Sequence, residues 1–95
     1  MKPHEWLAEL EPAALTMPEH ENAFVGLCFQ FGRPGVALYD YTKVIANLMS
    51  TGMSYEEATE FFDFNIVGAW VGENTPAFVV PYTVDSAVED DAGAV

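Results

Sequence analysis

Acidic side chains outnumber basic ones fifteen to three in this chain of 95 residues, and yet 51% of its residues are hydrophobic. That pairing narrows what the chain can become. A formal charge of -12 ordinarily belongs to a disordered, solvating polypeptide, but such chains lack large apolar residues. Here seven Phe, four Tyr and two Trp supply enough apolar area to drive folding. The expectation is a folded body wrapped in negative potential, which repels nucleic acid and anionic membranes and attracts basic protein surfaces.

The other compositional bounds follow from scarcity. Lys2, Arg33 and Lys43 are the basic residues and stand far apart in the chain, so no patch is expected to hold phosphates, and direct nucleic-acid binding is disfavoured. Cys28 is the single cysteine; it cannot form an internal disulfide, and within an apolar run it reads as inert packing. The lack of paired cysteines points to a cytoplasmic compartment. Glu5, Glu9 and Glu11 interrupt any signal-peptide core, and no apolar run approaches the roughly 20 residues that span a bilayer. One small domain with little stability to spare is expected.

Three regions are expected along the chain. Residues 1–22, punctuated by Pro3, Pro12 and Pro18, read as a partly ordered arm. It carries a short helix over Glu5–Leu10 and docks through Trp6 and Leu10, or frays. Residues 23–84 form the domain, and residues 85–95, with Glu89, Asp90 and Asp91, form a flexible acidic tail. Within the domain the apolar run Ala23 to Phe31 predicts a strand covered on both faces. The Gly-Arg-Pro-Gly loop then turns into a second strand over Val36 to Tyr39. Asp40 caps a helix whose Tyr41, Val44, Ile45, Leu48 and Met49 share one face, and Gly52 ends it. Ser54 and Glu57 form a capping box for a second helix, with Ala58, Phe61, Phe62, Ile66 and Ala69 turned inward. Ala77 to Val80 predicts a third strand. The fold class expected is α+β: a small antiparallel sheet, made of a β-hairpin plus a C-terminal strand, packed against a two-helix hairpin.

The second helix draws attention because its outer side is mixed. Glu56, Glu60 and Asp63 form an acidic ridge, which alone is an ordinary solvated face. Beside it Phe64, Val67 and Val71 project away from the core stripe, and an apolar strip there must be buried against something.

Constellations for catalysis are thin. His4 and His20, the two histidines, both lie in the N-terminal region. Neighbouring residues of Glu19-His20-Glu21 point opposite ways on an extended chain and do not make a metal site alone. No local signature pairs Cys28 with a histidine. Neither glycine-bearing loop matches a phosphate cradle. A helix-turn-helix reading fails because its second helix carries Glu56, Glu57, Glu60 and Asp63 and no positive charge. No cofactor, no metal and no enzymatic activity are expected.

Tyr39 to Met49 (YDYTKVIANLM), Gly52 to Asn65 (GMSYEEATEFFDFN) and Gly68 to Phe78 (GAWVGENTPAF) together resemble a group of small phage and prophage proteins. Their recurring pattern is a Tyr-Asp pair, a Gly-Met-Ser/Thr turn followed by Glu-Glu-Ala, then Phe-Asn, Gly-Ala and Gly-Glu-x-Thr-Pro. The resemblance implies a bacterial host cell as the setting and transfers no catalytic residue. Within it Asn65 stands out. Either it ties the second helix to the Glu73–Pro76 loop, or Asn65, Trp70, Glu73 and Thr75 line a small binding site.

The function expected is that of a non-enzymatic acidic accessory protein, which binds and inhibits a host protein with a basic, nucleic-acid-binding surface. Glu56, Glu60 and Asp63 would imitate a row of phosphates, with Phe64, Val67 and Val71 as apolar contacts. The alternative is an assembly protein that forms a homo-oligomer through the same helix face. A third reading is a small-ligand module around Trp70 and Asn74.

Overall fold

The computed structural model describes residues 1–67 and 72–82, the side chain of Val67 excepted. Three strands form one sheet in the order β1 (Phe24–Cys28), β2 (Val36–Asp40), β3 (Ala77–Val79). Three α-helices accompany them: α1 (Pro3–Leu10), α2 (Tyr41–Met49) and α3 (Tyr55–Phe62). A 3-10 segment, Pro18–Ala23, leads into β1, and a π-helical turn, Asp63–Val67, continues α3. The class is α+β, a small sheet packed against helices.

β1 and β2 pair antiparallel, as the turn residues between them predict, with a register shift between Phe24 and Gly26. The third strand departs from expectation. β3 runs parallel to β2, with Leu38 opposite Ala77 and Asp40 opposite Val79, so the sheet is mixed and not antiparallel. The reason is the path of the chain: α2, α3 and the loop after them carry it back to the start of the sheet before β3 begins, and such a crossover delivers a parallel neighbour. The strand ending at Cys28 is also shorter than the apolar run, and Phe29 and Phe31 lie exposed in the following turn. A strand at the edge of the sheet has no neighbour to cover it.

Local chemistry sets the helices where the sequence places them. The Asp40 carboxylate accepts from the Lys43 amide at 3.3 Å and starts α2. Ser54 and Glu57 cap α3 reciprocally, at 2.9 and 3.1 Å, satisfying two amides that the first turn leaves free. Gly52 between the helices has φ +113°, a backbone conformation that a side chain strains.

All helices bury onto the sheet face that carries Ala37 and Tyr39, and Val44, Ile45, Leu48, Ala58 and Phe62 complete the core with Leu7 and Ala23. An aromatic ladder crosses it. Trp6 meets Phe24 at 6.2 Å between ring centroids, Phe24 meets Tyr39 at 5.7 Å, and Tyr39 meets Phe78 at 6.1 Å. Phe62 then stands edge-on to both Phe78 and Tyr41 at 4.8 Å. Phe24, Tyr39 and Phe78 are register partners on successive strands, so cross-strand pairing brings their rings together.

The N-terminal residues dock differently from the reading above. Leu7 is 1% exposed and is the buried anchor, whereas Trp6, 42% exposed, only rests its ring against Phe24 and Leu10 is 51% exposed. Helix α1 starts two residues earlier than predicted, with Pro3 in its first turn, a position where the missing amide costs nothing. The Leu15 amide donates to the Asn74 carbonyl at 3.2 Å, which links this region to the loop before β3. No helix among the described residues is long and apolar enough to cross a membrane.

Candidate functional site

Glu56, Glu60 and Asp63 are all exposed, on α3 and on the first residue of the π turn. They fall at i, i+4 and i+7, a spacing that puts three carboxylates along one side of a helix. The one contact of ion-pair length among the described residues is His4 Nδ1 to Glu21 Oε2, 3.7 Å, far from this ridge in sequence. The ridge therefore keeps its charge unneutralised by any described cation.

Phe64 is 80% exposed. It shares a shallow open depression with Met53, Glu57, Glu60, Phe61 and Asn65, so the structure brings Phe64 and Glu60 together at one spot. Val71 and the side chain of Val67 lie outside the described residues, as do Trp70, Ala69 and the tail at 85–95. Phe61 is a partial exception to the expected inward stripe: it sits at the margin, partly exposed, while Phe62 is buried.

Within the π turn Asn65 is exposed, while Ile66 stays packed against the core. Asn65 is consequently not a buried tie. It lines a cavity of about 420 Å³ together with Thr75, which joins two of the four residues singled out for a small site.

Two polar networks in the N-terminal region escape a local reading. In the first, the Met17 amide donates to the Tyr39 hydroxyl at 2.8 Å, and that hydroxyl lies 2.8 Å from His4 Nε2. With the imidazole proton on Nδ1, the nitrogen that faces Glu21, the hydroxyl accepts from Met17 and donates to Nε2. Burial raises the Tyr39 phenol above its ordinary value; the Met17 amide opposes the rise, and Glu21 and Glu19 add to it. In the second, Asn47 donates to Asn22 Oδ1 at 2.7 Å and to His20 Nδ1 at 3.0 Å, and accepts from Asn22 Nδ2 at 3.1 Å. Both histidines thus fasten the N-terminal segments to the sheet and α2. Among the described residues no three His, Cys, Asp or Glu side chains gather as a metal site. Neither network is signalled in the sequence, because its partners are 35 and 27 positions apart.

Burial pushes the His20 imidazole below its ordinary value of 6.5, with Glu19 partly opposing. A histidine lowered by folding stabilises the native state above about pH 6.5, where both states are neutral. That contribution is lost as pH falls from 6.5 through the folded value, because the unfolded chain takes the proton first. Urea unfolding at pH 7.5 and at pH 5.5 (both approximate, either side of the ordinary value) should therefore show a larger loss for wild type than for His20→Gln. Equal losses in the two proteins would show that His20 does not contribute to the pH dependence.

Compared with protein-family models, with curated proteins and with solved structures, the chain has no match.

Proposed function

We propose that the chain is a non-enzymatic acidic accessory protein of phage or prophage origin. In this reading it binds and inhibits a host protein whose basic surface normally holds nucleic acid. The observation that carries the proposal is the α3 face: Glu56, Glu60 and Asp63 exposed in a row, with Phe64 80% exposed beside them. Spaced carboxylates steer a cationic surface and fix its register, and an aromatic residue at the centre of a contact supplies the affinity. The -12 charge of the whole chain adds long-range attraction toward the same class of partner. The likeness of YDYTKVIANLM and its companion segments to small phage and prophage proteins supports the setting.

The experiment is capture from a bacterial lysate, followed by titration of the captured protein against wild type and against Glu56→Lys/Glu60→Lys/Asp63→Lys. Reversing three charges is expected to weaken binding about 100-fold or more, the order of two or three lost interfacial charge pairs. The wild-type affinity should also fall steeply as salt rises. Equal affinity of the two proteins, or indifference to salt, would sink the mimicry.

Phe64 also favours a second reading, since an aromatic residue this exposed suits a seam between two copies of the chain. In that case sedimentation finds a stable symmetric oligomer that Phe64→Asp dissociates, and the carboxylates serve only as its rim.

A further inference from the structure

The cavity of about 420 Å³ lies between the segment leading into β1, the end of α3 and the start of β3. Its volume is in the range of small-molecule sites. Leu15, Met17, Phe61, Ile66, Pro76 and Phe78 give it apolar and aromatic walls. Polar groups in such a place decide what enters; Thr16, Glu19, Asn65 and Thr75 contribute to the rim, and His20, only 7% exposed, is the buried polar residue of the lining.

The ring nitrogens of His20 have separate duties. Nδ1 accepts from Asn47 at 3.0 Å, so a neutral ring carries its proton on Nε2. No described residue hydrogen-bonds to that Nε2–H, and a buried donor without an acceptor is unfavourable. An occupant that offers an oxygen to it recovers this cost. Glu19 lines the same cavity and is exposed; its carboxylate accepts hydrogen bonds and repels anions. The requirement is thus an uncharged oxygen that accepts from His20 and donates to Glu19, carried on a flat apolar body. A carboxylate is refused by Glu19 and by the charge of the chain, and an ammonium cannot accept from Nε2–H.

We propose that this cavity is a binding site for a neutral phenolic ligand, with the ring between Phe61, Ile66 and Phe78 and the hydroxyl between His20 and Glu19. The cavity shares Phe61 and Asn65 with the depression beside Phe64, but the proposal does not rest on the function proposed for the acidic ridge.

The test is an amide-shift titration of the whole chain by nuclear magnetic resonance, with p-cresol, toluene and p-toluate as probes. p-Cresol is expected to give saturable shifts at Leu15, His20, Phe61 and Ile66, about tenfold tighter than toluene, the effect of one to two hydrogen bonds. p-Toluate is expected to give none. In His20→Phe the p-cresol affinity should fall to that of toluene while toluene is unchanged. Toluene binding as well as p-cresol, p-toluate competing with it, or p-cresol shifts that do not saturate at these residues would each overturn the proposal. Should His20→Phe fail to fold, the three probes on wild type decide the matter alone.

Discussion

Replacing Leu7 by alanine is expected to destabilise the protein by about 2–5 kcal/mol, the cost of emptying a buried leucine site. In a small domain whose whole stability is about 5–15 kcal/mol, that leaves a visibly weakened fold. The reasoning starts from the length of α1, eight residues, which is too short to hold as an isolated helix in water. It persists because it is fastened. Leu7 is 1% exposed in the core, the His4 ring lies 5.4 Å from that of Phe24, and His4 Nε2 holds the Tyr39 hydroxyl. An alanine at position 7 removes the buried apolar anchor and leaves the His4 contacts and the half-covered Trp6 to hold the helix. Equilibrium urea unfolding followed by circular dichroism measures the effect. A midpoint lowered by less than the equivalent of about 1 kcal/mol, the size of an ordinary surface change, would mean that residues 1–22 ride on the domain without supporting it.

The contrast between Leu7 and its neighbours shows where a sequence stops being legible. Trp6, Leu7 and Leu10 share a helical spacing, and spacing says that a face exists without saying which of its members reaches the core. The choice of Leu7 depends on how Phe24 and Tyr39 meet the helix, and those residues are remote in the chain. Features whose causes are local were readable: Asp40 and Ser54 as caps, Gly52 as the turn, and Val44, Ile45 and Leu48 as the buried stripe of α2. Strand direction was not. Period-two alternation is the same for either orientation, and whether β3 lies parallel or antiparallel to β2 depends on where the helices return the chain. The histidine networks were hidden for the same reason, since His4 and Tyr39 are 35 positions apart and His20 and Asn47 are 27 apart. As for the acidic face, the row of Glu56, Glu60 and Asp63 and the outward Phe64 were visible from spacing, but the exposure of Asn65, expected near the apolar stripe, goes with a π turn. Nothing in the residues Asp63 to Val67 announces one.

The two sides of this helix set up the other large effect. Phe62→Ala is expected to cost about 3–5 kcal/mol, whereas Phe64→Ala, two positions on, should stay within about 0.5 kcal/mol of wild type. The residues are chemically identical and differ only in which side of the helix they occupy. Phe62 is 3% exposed and stands edge-on to Tyr41 and Phe78, so its removal opens a cavity at the joint between α2, α3 and β3. Each lost edge contact adds about 0.5–1.5 kcal/mol to the area term. Phe64 leaves no cavity when cut back, because most of its ring meets solvent. Thermal and urea unfolding of the two single variants side by side give the comparison, and a Phe64→Ala variant as unstable as Phe62→Ala would mean that Phe64 is not on the solvent side of the helix. The same pair separates stability from recognition. If the α3 face is the contact surface, Phe64→Ala keeps the melting curve and loses partner affinity by about tenfold or more. A Phe62→Ala variant that still folds at low temperature keeps its acidic ridge and should bind in proportion to its folded fraction.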